Sequence, residues 1–263
     1  MASERVLIVG GVAAGTSAAA KAKRTNPSLD ITLYQREPFV SYSACGLPYF
    51  IGGWVPDHNA LIARTPAQFA RDGITVRTEH EVLDIDAAAG RISVRDLSSG
   101  KTFHDHYDHL VLATGAGVRC PPLPGIDLKG VFRLRSMGDG LAIKQYLAER
   151  KPASAVVIGA GYIGIEMAEA FLALGIKTTV IDMLDQVLGT VDPEMAAIVE
   201  AAMRAAGIEI HLGAKLEHLD GDADGHVTCA CSTGAELTGE IVLLATGVTP
   251  NSCLLYTSPS PRD

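Results

Sequence analysis

Apolar residues along this chain fall in short runs separated by glycine turns. Residues 6–9 form an apolar run of strand length, residues 10–15 a glycine-bounded turn, and residues 14–24 an alanine-rich helix that stops before Asn26-Pro27. The run 31–34 predicts the next buried strand and completes one βαβ unit. Thr65-Pro66 predicts an N-cap and first helical residue, with Gly73 closing that helix. From 74 to 113 the pattern shortens to strands with turns at Ala89-Gly90 and Ser99-Gly100, and a buried strand ends this half at Ala113-Thr114-Gly115. Pro121, Pro122, Pro124 and Gly125 then predict a stiff connection where the chain crosses between domains.

The second half repeats the design, with a strand at 155–158, a turn at 159–164, a helix at 165–174 and a strand at 178–181. Asp192-Pro193-Glu194 opens a further helix. Its residues Met195, Ile198, Val199, Ala202 and Met203 follow one-face spacing, and Gly207 closes it. Residues 208–238 read as short strands, and 240–247 as a strand ending in a second Ala-Thr-Gly. Residues 253–263 break the pattern, with no periodicity and two closely spaced prolines. They read as a non-native tail, of the kind a translated sequencing adapter leaves.

Composition narrows the function. A chain of 263 residues that is 48% hydrophobic buries one large or two medium cores, and its 27 glycines suit tight strand-to-helix turns. A net charge of −8 argues against a nucleic-acid partner. No apolar run reaches the roughly 18 residues of a membrane span. Residues 6–20 mimic a secretory signal, but Glu4 and Arg5 cancel before them and glycines interrupt them. The five cysteines, at 45, 120, 229, 231 and 253, are scattered and odd in number, which points away from a disulfide framework and toward a reducing cytoplasm.

Two turns carry dinucleotide chemistry. Gly10-Gly11-Val12-Ala13-Ala14-Gly15 follows a strand and opens a helix, so its backbone N–H groups and the helix dipole face a pyrophosphate. Val12 replaces the middle glycine. The position expected to bond a ribose, twenty residues past Gly15, is the amide Gln35 instead of an acid. Taken alone this turn also fits an ordinary strand-to-helix connection. Gly159-Ala160-Gly161-Tyr162-Ile163-Gly164 is a complete G-x-G-x-x-G, with Asp182 eighteen residues after Gly164. A carboxylate there accepts from a 2′-hydroxyl and repels a 2′-phosphate, which predicts NADH over NADPH.

Cys45 lies in Ser41-Tyr42-Ser43-Ala44-Cys45-Gly46-Leu47-Pro48-Tyr49. Together with both glycine turns, both Ala-Thr-Gly strands and Gly247-Val248-Thr249-Pro250-Asn251, this segment makes residues 1 to about 252 resemble the pyridine nucleotide-disulfide oxidoreductases. The resemblance is to their single-cysteine branch of coenzyme A-disulfide reductases, NADH oxidases and peroxidases. It implies an α/β fold of two Rossmann-like three-layer domains, the NAD domain inserted in the FAD domain. The expected boundaries are 1–115 for FAD, 116–250 for NAD and 251–263 for the tail.

By the same resemblance, FAD rests on Gly10, Val12, Ala13, Ala14, Gly15, Gln35, Arg36, Thr114 and Gly115, and NADH on Gly159, Gly161, Tyr162, Ile163, Gly164, Glu166, Asp182 and Gly247. Tyr162 matches the residue that covers the flavin until nicotinamide displaces it, and Glu166 one near the nicotinamide. Cys45 is the redox centre. Ser17, Lys21, Arg24 and Ser41 match positions that contact coenzyme A.

Paired-cysteine members carry a second cysteine five positions away, where this chain has Val40 and Phe50. Cys45 is therefore expected to cycle through a mixed disulfide with a small disulfide or persulfide substrate, or through a sulfenic acid as in the oxidases and peroxidases. Ala13 stands where those oxidases carry histidine, which favours the disulfide route. Ala44 departs from the asparagine of some disulfide reductases. The family's third FAD motif and its homodimerisation domain are expected beyond Asn251 and are absent from the 263 residues, so the chain reads as C-terminally truncated. A non-catalytic nucleotide-binding fragment is the remaining reading.

Two motifs are set aside. His104-x-His106-x₂-His109 lacks a completing ligand set, and strand alternation is expected to split it between faces. No metal is expected. Cys229-x-Cys231 places both thiols on one strand face without the C-x₂-C spacing, and reads as packing.

Overall fold

The structure, a computed structural model, describes residues 3–256. The chain forms two compact units, one of Met1–Ser43, Asn59–Gly117 and Pro250–Asp263, the other of Ala44–His58 and Val118–Thr249. Both are α/β, and both pair a parallel sheet with an antiparallel three-stranded meander.

In the first unit the parallel strands lie in the order Ile74–Arg77, Asp30–Tyr34, Arg5–Val9, His109–Leu112. Alternation along the first strand produces three layers. Val6 and Ile8 pack with Ala19 of helix Ala14–Thr25 and with Ile31, Leu33, Phe69 and Ile74. Leu7 and Val9 point the other way, into Tyr34, Val82, Ile85, Ile92 and Val94 of the meander side. That meander runs His80–Asp86, Arg91–Asp96, Thr102–His106. Each aliphatic side chain fully buried this way contributes about 2 kcal/mol. The helix Pro66–Arg71 begins as predicted at Thr65, and a reciprocal capping box with Gln68 fixes its start.

The second unit orders its parallel strands Glu209–His211, Lys177–Ile181, Ser154–Ile158, Ile241–Leu244, Val131–Arg133. Val156, Ile158 and Ile181 pack on the meander Leu216–Gly221, Val227–Cys231, Glu236–Gly239, within which Cys229 and Cys231 are buried core residues. Burial, reinforced by Cys231, pushes the Cys229 thiol up to about 12, so it is inert at neutral pH.

Four features differ from the sequence reading. The segment Ala44–His58 groups with the second unit although 1–115 was expected to stand together. It carries an unpredicted short helix, Leu47–Ile51, whose Leu47, Phe50 and Ile51 are buried, and the second unit supplies that burial. A further unpredicted helix is Met137–Arg150, started by a Ser136/Asp139 capping box. In helix Pro193–Ala205 the buried residues are Ala196 and Met203, while Met195 and Ile198 of the expected apolar face are exposed. Lastly, Asn251 is seated within the first unit: its N–H donates to Gly115 O at 2.9 Å and its Nδ2 to Thr114 O at 2.9 Å. Leu254, within the expected tail, packs at the edge of the Leu7–Tyr34 cluster. Residues 257–263 of that tail lie outside the described residues. Among the described residues, no helix is long and apolar enough to cross a membrane.

A polar network pins the edge of the first unit. Tyr34 Oη donates to Asp105 Oδ2 at 2.5 Å and Arg5 donates to the same oxygen at 2.9 Å. Burial alone would raise the Asp105 carboxyl, but the bonds from Arg5 and Tyr34 outweigh it and hold the carboxyl below the usual carboxylate range. A depressed folded pKa means the stabilisation is present above the unfolded carboxyl's pKa of about 4 and is lost as pH falls through the folded value. Asp105→Asn is therefore expected to cost about 1–3 kcal/mol at pH 7. As pH falls below about 4 the difference between variant and parent should narrow. Urea midpoints at pH 7 and pH 3 check both statements.

Candidate active site

In each unit the strands Arg5–Val9 and Ser154–Ile158 end at a glycine turn that opens a helix, at the carboxyl edge of the parallel sheet. The two turns are built alike. Gly10 and Gly159 have φ of +105° and +108°, and an added Cβ would stand 2.1 Å from Ala113 O and 2.4 Å from Ala245 O. Gly15 and Gly164 let the helix approach so closely that a Cβ would fall 1.8 Å from Gly10 O and Gly159 O. Gly161 has nothing within 4 Å of an added Cβ. The middle position of the turn is thus open space over a helix N-terminus, a cradle suited to a pyrophosphate, and the equivalent Val12 occupies part of that space in the first turn.

The residues closing each second strand act on these turns. Gln35 is buried, and its Oε1 accepts the Gly11 N–H at 2.8 Å. Asp182 accepts the Ala160 N–H at 2.6 Å through one oxygen and the Leu184 N–H at 2.8 Å through the other. Both side chains therefore brace the turn, a role that spacing alone did not reveal. Asp182 remains partly exposed beside Met183 and Leu184, both strongly exposed.

The two Ala-Thr-Gly ends tie the connecting strands in parallel ways. Thr114 Oγ1 donates to Asn251 O at 2.6 Å, and Thr246 Oγ1 donates to Arg119 O at 2.6 Å. Gly247 has φ of +102°. Tyr162 opens helix Tyr162–Ala173 and is 62% exposed, so its ring is free to be displaced or stacked upon. Glu166 lies one turn further on the same face. Burial, with Glu169 adding to it, raises the Glu166 carboxyl above its ordinary value. Ile163 is half-buried behind them.

On helix Ala14–Thr25, Ser17, Lys21 and Arg24 are all exposed and spaced four and three apart, so they form one face. Lys23 is committed elsewhere, donating to Leu29 O at 2.6 Å. Ser41 sits in the left-handed region at φ +49°, held by its N–H on Gly11 O at 2.8 Å and by the Ala63 N–H on its own carbonyl at 2.7 Å. Such backbone costs about 1 kcal/mol and persists only where both sides fix it. Arg36 is exposed and faces Glu81 at 3.8 Å. Ala13 and Ala14 begin the helix from its exposed side.

Cys45 is exposed, in the 3₁₀ turn Ala44–Gly46 that leads into helix Leu47–Ile51. Val40 and Phe50, where a second cysteine would stand, are both buried side chains of the core. Among the described residues one metal-like grouping occurs, Asp222, Asp224 and His226, on an exposed turn where Asp222 already caps the Asp224 and His226 N–H groups. His104 and His106 share the exposed face of strand Thr102–His106, and His109 lies on the separate strand His109–Leu112.

Comparison with known proteins places this architecture. Residues 4–261 match the family Pyridine nucleotide-disulphide oxidoreductase. This chain belongs to that family. It is 36% identical over 249 residues to a protein of Methanocaldococcus jannaschii named NADH oxidase, covering 94% of this chain and 55% of that protein. It is 36% identical over 253 residues to the NAD(P)H coenzyme A polysulfide/persulfide reductase of Pyrococcus horikoshii, covering 94% and 54%. The solved structure of reduced Bacillus anthracis CoADR-RHD superposes with a TM-score of 0.94 at 33% identity, over 98% of this chain and 46% of that one. The chain spans about half the length of the relatives it matches. The family implies FAD and NAD(P)H as cofactors, and the Gly159–Gly164 turn, open at Gly161, fits such a nucleotide.

Proposed function

We propose that this chain supplies the FAD- and NADH-binding parts of a flavin-dependent NADH:disulfide oxidoreductase, with Cys45 as the exchanging thiol and coenzyme A disulfide or a persulfide as the substrate class. The exposed Cys45, with no cysteine at 40 or 50 to pair with, carries the reading. Flavin, when bound, relays two electrons from nicotinamide to sulfur. The N–H groups of the two turns orient the pyrophosphates, and the Asp182 carboxylate accepts a ribose hydroxyl while repelling a 2′-phosphate, which favours NADH. Tyr162 yields its place to the nicotinamide. The Cys45 thiolate attacks one sulfur of the disulfide, forms a mixed disulfide and expels the other half as a thiolate, which takes up a proton. Two electrons and a further proton then return Cys45 to a thiolate and release the second thiol. The net reaction consumes one NADH, one proton and one disulfide, and yields NAD⁺ and two thiols. Lys21 and Arg24, on one face with Ser17, suit the phosphates of a coenzyme A moiety. Ser41 completes that substrate set.

The rival is an oxidase cycle through Cys45 sulfenic acid, favoured by the name of the Methanocaldococcus relative. One assay separates the two. With NADH and coenzyme A disulfide under argon, two thiols should appear per NADH consumed. Rapid oxygen uptake with NADH alone, and no thiol release under argon, would replace the reductase reading with the oxidase one.

A further inference from the structure

The turn that carries Cys45 is fastened to the second unit through a small set of contacts. Lys144, in helix Met137–Arg150, donates from Nζ to the Phe50 carbonyl in the last turn of helix Leu47–Ile51. The same ammonium lies 4.4 Å from the centroid of the Phe50 ring, within cation–π range. One turn earlier on the same helix, Gly140 makes room for Leu47: an added Cβ would stand 2.9 Å from Leu47 Cδ2. On the other side Gly52 abuts helix Tyr162–Ala173, where an added Cβ would stand 3.2 Å from Ala170 Cβ.

A five-residue helix has too few internal hydrogen bonds to persist alone. Its shape depends on what holds its ends. The carbonyls at a helix C-terminus are under-bonded and carry partial negative charge, so a cation there satisfies an acceptor and complements the dipole. Lys144 supplies that cation and lies over the Phe50 ring. Burial lowers the Lys144 pKa, as expected of an ammonium drawn out of solvent to make this contact. The neighbouring residues Pro56, Asp57, His58, Leu141, Gln145 and Ala148 line an open cavity beside it, where the Phe50 ring also meets the His58 ring edge-on at 6.1 Å.

We propose that Lys144 is a positioning residue for Cys45, fixing the conformation of the 44–53 segment so that the thiol is presented in one orientation. The proposal rests on the reading of Cys45 as the exchanging thiol.

Lys144→Met keeps the stem and removes the donor, while Lys144→Arg keeps both. Amide hydrogen exchange and iodoacetamide alkylation mapped by peptide mass test the proposal on the full chain, with exposed Cys120 as internal reference. In Lys144→Met, amides 47–53 should exchange at least about tenfold faster, and the Cys45 alkylation rate should change at least threefold relative to Cys120. Lys144→Arg should restore both, and the rest of the second unit should keep its protection in both variants. Gly140→Ala, which presses on Leu47 without touching Lys144, should shift the same two readouts. Parental exchange and alkylation in Lys144→Met, or an arginine variant as loose as the methionine one, would overturn the proposal. Failure of the Cys45 reading is read separately, as retention of disulfide reduction in Cys45→Ser.

Discussion

Cys45→Ser should lower NADH-dependent disulfide reduction by at least about a thousandfold in kcat, the scale expected when the reacting atom itself is lost. A serine hydroxyl fills nearly the same volume on the exposed turn before Leu47–Ile51, so stability should change by less than about 0.5 kcal/mol. Oxygen cannot replace sulfur in thiol–disulfide exchange, since the reaction requires a thiolate and a sulfur–sulfur bond to form. The proposed NADH cradle, Gly159–Gly164 with Asp182, is left alone by the substitution. Stopped-flow kinetics should therefore show NADH still reducing the flavin while thiol release stops. Of the other cysteines, Cys229 and Cys231 are buried in the meander core. Full turnover in the serine variant would move the chemistry to direct electron transfer from flavin to an external acceptor.

Alongside its counterpart Gly15→Ala, Gly164→Ala should be among the most damaging single methyl substitutions in the chain. Its Cβ would fall 1.8 Å from Gly159 O, a backbone atom locked by φ +108° at Gly159 and by the Gly159 N–H bond to Ile181 O at 2.7 Å. Neither partner has a flexible end to give way, so helix Tyr162–Ala173 must move off the sheet. We expect a cost of about 3 kcal/mol, at the upper end for overpacking, and NADH affinity weakened by at least tenfold. Thermal unfolding and a fluorescence titration with NADH check the two effects. Gly161→Ala is the contrast, because its Cβ meets nothing within 4 Å. It should leave stability nearly unchanged while still weakening NADH, since the methyl would occupy the space meant for the pyrophosphate.

Both turns were legible because hard-sphere geometry leaves glycine little competition at Gly10, Gly15, Gly159 and Gly164. Strand alternation likewise foretold that Cys229 and Cys231 share one packed face, while the layers themselves were implied by the family resemblance. What was not legible is nonlocal. Nothing near Leu47 shows that it will pack on Gly140, more than ninety residues away, so the allegiance of Ala44–His58 was hidden. Lys144 was overlooked with its helix, although Ser136 and Asp139 offered a capping signature three residues apart. Gln35 looked like a weakened ribose ligand. Its amide carbonyl also braces Gly11, as Asp182 braces Ala160, and only the folded turn displays that shared duty. In helix Pro193–Ala205 the apolar spacing was real, but the residues the fold buries are Ala196 and Met203, while Met195 and Ile198 stay exposed.

The central claim, that one chain binds both nucleotides in a working arrangement, is tested most directly by the visible spectrum of the FAD-loaded protein before and after anaerobic NADH. The account predicts a protein-bound flavin band that NADH bleaches at one equivalent per flavin. A bound flavin that excess NADH leaves oxidised would contradict it.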